Sequence, residues 1–145
     1  MNAAPASSLV RPSLNTRFHI DYDWWHRAER DLEVYLRSHL CPTHQESYAD
    51  VDPARKVDHV DPETGEVTRV AGIQHVLISH CAQQPGYLSG QTSLVNAVFR
   101  VFLSNGNTPL SPEELGERIG RPAQMILRTL TGPRVYKGIR PYTAV

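Results

Sequence analysis

Ser111-Pro112-Glu113-Glu114-Leu115-Gly116-Glu117-Arg118-Ile119-Gly120-Arg121-Pro122-Ala123-Gln124-Met125-Ile126-Leu127-Arg128-Thr129-Leu130-Thr131 is the stretch that decides the fold. Ser111 is a near-ideal N-cap, Pro112 suits the first helical position, and Glu113 and Glu114 favour the positive end of a helix. That helix is short, because Gly120 can take the left-handed conformation that ends a helix and Arg121-Pro122 restarts one. Two helices joined by a tight glycine turn result. In the second, Ala123, Ile126, Leu127 and Leu130 form an apolar stripe, so Arg121, Gln124, Arg128 and Thr131 fall on the opposite face at spacings of three and four. That exposed face contains no acid.

The charge pattern points the same way. The chain is formally neutral, with 15 Lys and Arg against 15 Asp and Glu. Six of the basic residues (Arg118, Arg121, Arg128, Arg134, Lys137 and Arg140) lie in the last 28 positions, which contain no acid, leaving nine against fifteen in the first 117. A basic end on an acidic body implies a polyanionic partner such as DNA or RNA.

Working outward, Arg17 to Tyr22 alternates loosely and predicts a short strand, with Asp23 as N-cap of a helix from Trp24 to about Leu40, stopped by Pro42. Gln45 to Arg55 is polar and irregular. Lys56–Val60 and Glu66–Val70 flank Asp61-Pro62-Glu63-Thr64-Gly65, where proline starts a turn and Gly65 supplies the positive φ that closes a hairpin. A helix over about Ala71–Gln83 and another over about Ser93–Leu103 follow, the latter apolar on two sides and therefore the most buried. Beyond Gly132-Pro133, Arg134 to Pro141 reads as a small hairpin with Lys137-Gly138 at its tip, bringing Arg134 and Arg140 side by side, or else as a single strand.

Leu110-Ser111-Pro112-Glu113-Glu114-Leu115, Ile119-Gly120-Arg121-Pro122 and Tyr136-Lys137-Gly138-Ile139-Arg140-Pro141 together give Thr92–Tyr142, about a third of the chain, a pattern that resembles the winged helix-turn-helix class. The resemblance implies a first helix, a minimal strand at Thr108–Leu110, a second helix from Pro112, a recognition-type helix from Pro122 and a basic wing. In DNA-reading members of such folds the recognition helix enters the major groove. By that analogy Gln124 and Arg128 read bases while Arg121, Arg134, Lys137 and Arg140 contact phosphates. Many winged helices instead bind proteins.

A second constellation lies outside the motif. Cys41 and His44 stand as Cys-x-x-His, and His80-Cys81 stand together near the end of a predicted helix, offering four ligands of the types zinc prefers. Adjacent helical residues point about a quarter-turn apart, so both reach one ion only if the helix breaks there. His39 and His75 are possible substitutes for His80. A Cys₂His₂ set would hold one structural Zn2+, leaving no open position for a substrate. Without metal the two cysteines are buried free thiols, or a Cys41–Cys81 disulfide.

Other features bound the answer. At 145 residues and 40% hydrophobic content the chain can build a core, and no stretch approaches the roughly 20 apolar residues of a membrane span. Residues 1–16, rich in Ala, Ser and Pro, read as a disordered tail without a targeting run, hence a cytoplasmic protein. Asp58, His59 and Asp61 read as a solvated edge of the hairpin, and of Trp24-Trp25 one enters the core. No nucleophile elbow, phosphate loop or metalloprotease motif is present, so no enzymatic activity is expected.

The expected molecule is α+β and mostly α: a helix-hairpin-helix region at 17–88 with a Cys/His clamp (Cys41, His44, His80, Cys81), packed on a winged helix-turn-helix at 89–145. The expected function is binding of nucleic acid, duplex DNA above all, as a small transcriptional or DNA-associated factor. The alternative is an adaptor whose winged helix docks on an acidic protein or on a second copy of the chain.

Overall fold

The computed structural model of the protein describes residues 11–27, 32–52, 55–88 and 92–143, so the first ten residues of the expected tail lie outside the described residues. The chain is α+β. In order it forms β1 (Phe18–Ile20), α1 (Tyr22–Arg27), α2 (Leu32–Arg37), α3 (Pro42–Ser47), β2 (Lys56–Val60), β3 (Val67–Ala71), α4 (Gly72–Ser79), a 3-10 turn (Cys81–Gln83), α5 (Leu94–Ser104), α6 (Pro112–Ile119), α7 (Ala123–Leu130) and β4 (Ile139–Pro141). Among the described residues no helix is long and apolar enough to cross a membrane.

The two helices joined at Gly120 form as their residues dictate. Ser111 accepts from the Glu114 amide while the Glu114 carboxylate accepts from the Ser111 amide, a complete capping box, and Pro112 sits in the first turn. Gly120 closes α6 with φ 71°, and α7 buries Ile126 and Leu130. The hairpin also forms, with Val60 opposite Val67 and Gly65 at φ 76°.

Three expected elements differ. The first helix begins at Tyr22 and is capped by Asp21, whose carboxylate accepts from the Asp23 and Trp24 amides; Asp23 is not the cap. Its continuation ends at Arg37, because the Ser38, His39 and Leu40 amides reach back only three residues. Residues 28–31, across which one long helix was expected, lie outside the described residues. Pro42 does not merely stop a helix. It occupies the first turn of a new one, α3, where its missing N–H costs nothing.

The third difference concerns the wing. No hairpin forms at Lys137-Gly138; of the two expected forms the single strand is present. Lys137 (φ 54°) and Gly138 (φ 74°) turn the chain back so that β4 pairs antiparallel with β1, Ile20 opposite Ile139 and Phe18 opposite Pro141. On its other edge β1 meets Leu110, whose amide and carbonyl exchange bonds with Phe18 at 3.0 and 2.8 Å, and this bridge is all that remains of the strand expected at Thr108–Leu110. The Asn107 side chain extends that edge by bonding both the N–H and the C=O of Ile20. The N-terminal strand thus sits at the centre of the C-terminal sheet.

One hydrophobic core results. It takes Phe18, Trp25, Leu36 and Leu77 from the N-terminal part and Phe99, Phe102, Leu115, Ile126 and Ile139 from the C-terminal part. Trp25 is the tryptophan that enters it, stacked on Tyr35 at 5.4 Å. Gly138 packs directly against Trp25. A Cβ there would stand 2.7 Å from the indole nitrogen of Trp25, on a backbone already at positive φ. Gly138→Ala is therefore expected to lower the unfolding free energy by about 2 kcal/mol, readable as a shifted urea midpoint. A variant as stable as the parent would mean that the Trp25 contact is loose.

Candidate metal centre and basic face

The candidate metal ligands come from two short elements brought together by the core. Cys41 caps the start of α3, and the two intervening residues place His44 in its first turn, so thiol and imidazole converge: Cys41 Sγ lies 3.1 Å from His44 Nδ1. On the facing side α4 ends at Ser79. His80, at φ −128° and ψ −64°, departs from helical geometry before the 3-10 turn begins at Cys81. This is the break that two adjacent ligands require, and it turns both side chains toward α3.

Cys41, His44 and His80 each offer a donor atom within 4.8 Å of the others and could hold a metal ion. Cys81 adds a fourth donor, its sulfur 3.4 Å from Cys41 Sγ and 3.4 Å from His44 Nδ1. Both cysteines are free thiols. A tetrahedral zinc with ordinary bond lengths would set S···S at about 3.8 Å and S···N at about 3.5 Å, so the Cys41, His44 and Cys81 donors need to open by only a few tenths of an ångström. A disulfide would instead require the sulfurs to close to about 2.05 Å.

The environment grades from dry to wet. Cys81 is fully buried, Cys41 and His44 are half-buried, and His80 is exposed. Burial pushes the Cys81 thiol up to about 11, a cost that a bound cation would reverse by stabilising the thiolate. The Gln84 amide stands 3.3 Å from His80 Nε2, and the Tyr48 ring lies against His44 at 5.8 Å, so outer groups orient both imidazoles.

The two substitutes considered for His80 are engaged elsewhere. His39 is buried, with Nδ1 accepting from Arg100 Nε at 3.1 Å and its ring stacked on Phe99. Burial first, then the Arg100 and Lys137 charges, bring its pKa down to about 4, so it stays neutral and can accept that bond. His75 pairs with His59, Nδ1 to Nδ1 at 3.2 Å. Sequence reasoning placed His59 on a solvated edge; its strand alternation turns it toward α4, while Asp58 does remain exposed, paired with Arg69 at 3.4 Å. The hydrophobic spacing of α4 against the hairpin was the available signal.

The six residues nominated for nucleic-acid binding divide into two groups. Gln124, Arg128 and Arg134 are exposed, and Arg134 lies over the Tyr136 ring at 5.9 Å. The other three have partners within the molecule, Arg121 and Arg140 being half-buried and Lys137 exposed. Arg121 donates to the Thr92 carbonyl at 3.2 Å, Lys137 sits 4.6 Å above the Tyr35 ring, and Arg140 pairs with Asp21 at 3.4 Å. Arg140 is thus held beside β1 and not across a wing from Arg134. The metal ligands and the basic face are joined through α5, which contacts the 3-10 turn on one side and α6 on the other. Comparison of this chain with family models, with curated proteins and with solved structures finds no match.

Proposed function

We propose that this protein binds duplex nucleic acid through α7 and the basic segment after it, on a scaffold of winged helix-turn-helix type braced by one structural Zn2+ at Cys41, His44, His80 and Cys81. The observation that carries the reading is the exposed face of α7. Gln124 and Arg128 project from a helix anchored by buried Ile126 and Leu130, in a segment with no carboxylate from Arg118 onward. Arg and Gln at such positions can pair with base edges, and a helix without acids does not repel phosphates. Arg134 extends the face, while Arg121, Lys137 and Arg140 hold it in place through their internal partners. The zinc has a bracing role because a filled Cys₂His₂ set leaves no open coordination position.

The test is fluorescence anisotropy of a labelled duplex at several salt concentrations. Salt-sensitive binding is expected; Arg128→Glu should weaken it by at least about 100-fold, and Arg134→Ala should lower the salt slope by about one. Equal binding by the parent and Arg128→Glu would sink the proposal.

One observation favours a second reading, a docking face for an acidic protein. Met125 and Val135, both apolar and exposed, flank the same arginines. Salt-insensitive or absent DNA binding would transfer the role of this face to that partner.

A further inference from the structure

The His59–His75 pair stands apart from the thiolate centre and has its own geometry. His59 comes from β2 and His75 from α4, elements fixed to each other because β3 runs directly into α4 and the Gly72 amide donates to the Arg55 carbonyl at 2.6 Å. The two Nδ1 atoms lie 3.2 Å apart, with ring planes at 70°. Two imidazoles at this distance cannot both be protonated, and a proton shared between them is one way to satisfy the pair. A metal ion is the other. At an ordinary Zn–N length of about 2.05 Å, this separation subtends about 103° at the ion, close to a tetrahedral angle.

The surroundings favour a cation. His59 and His75 line a cleft of about 810 Å³ between the hairpin, α4 and α5. Asp61 and Glu63 also line it, and among the described residues no lysine or arginine does. The Asp61 carboxylate stays ionised readily, its pKa lowered first by the bonds it accepts from the Glu63 and Thr64 amides.

We propose that His59 and His75 form a second site for a divalent transition-metal ion, distinct from the cysteine centre and open toward the cleft. Two protein ligands leave the remaining positions to water or to a small ligand with an oxygen or nitrogen donor. This site is the opposite in type of the closed Cys₂His₂ set. Its affinity is lower and its ion exchangeable, because fewer ligands are supplied and all are neutral.

The experiment is titration of the full chain with ZnCl₂ by calorimetry, alongside Co2+ absorption. The parent is expected to hold two equivalents: one that is tight and lost in Cys41→Ser, and one that is weaker. Either His59→Asn or His75→Asn should weaken the second at least about tenfold while keeping the first. Cobalt separates the sites, because only the cysteine centre gives thiolate charge-transfer absorption. Retention of that band in the two histidine variants also shows that they fold. A single equivalent in the parent that comes with the thiolate band, or a histidine-independent second one unchanged in both variants, overturns the proposal. Failure of the structural-zinc reading would appear differently, as a missing thiolate band with the histidine-dependent equivalent intact.

Discussion

Cys41→Ser is expected to abolish the proposed zinc binding and to lower the unfolding free energy by about 4 kcal/mol, the scale set by cross-linking two points some forty residues apart. An ion held there would tie α3 to the 3-10 turn, and through that turn to α5, whose Ser104 carbonyl accepts from the Gln83 side chain at 3.3 Å. Without the ion, the segment between Cys41 and Cys81 keeps the hairpin and α4 but loses the tether that limits its unfolded conformations. For a chain of this length the melting temperature should fall by about 12 °C. The measurement is zinc content together with thermal unfolding, with and without a strong chelator. Chelated parent and Cys41→Ser should melt alike, whereas Thr43→Ser, an exposed change between two ligands, should behave as the parent. A metal-free parent that melts at the same temperature as the zinc-loaded protein would remove the bracing role.

Phe99→Ala is expected to cost a similar amount, about 4 kcal/mol, by a different mechanism. Phe99 is fully buried at the middle of α5, meeting Tyr35 edge-on at 4.9 Å, Trp25 edge-on at 6.5 Å and the His39 ring in a stack at 5.3 Å. The loss combines the transfer of a phenyl ring with a cavity that three aromatic neighbours cannot collapse into. It also frees His39, on which Arg100 and, through its carbonyl, the Tyr87 hydroxyl converge. Phe99→Leu, which keeps most of the volume, should cost roughly 1.5 kcal/mol in equilibrium urea unfolding. If the alanine variant lost less than about 1 kcal/mol, the aromatic cluster would not be the centre of the core.

The two readings differ in how they weigh the surface charges. Arg128 and Arg134 point into solvent, where their charge acts at a distance on an approaching polyanion. Arg140 is bound to Asp21, and that carboxylate also binds Arg27 at 3.4 Å, so part of the basic end is neutralised by the acidic body within one molecule. The summed charge of the last 28 residues therefore overstates the field that a partner meets.

Much of the fold was legible from residues close together in the chain. Ser111 through Glu114 specify a helix start by bonds within four residues, Gly120 ends it, and Asp61 through Gly65 close a hairpin on their own. Cys41 and His44 converge because two intervening residues at the start of a helix leave little freedom, and the adjacency of His80 and Cys81 required a helix break that the structure supplies. Each of these is a local consequence of dihedral preference and short-range bonding, which depend on sequence order alone. The pairing of β1 with β4, the capture of Arg140 by Asp21 and the meeting of His59 with His75 were decided only by tertiary structure. They depend on which edge of a strand is left open and which face of α4 the hairpin covers, and these are settled when the whole core packs against itself.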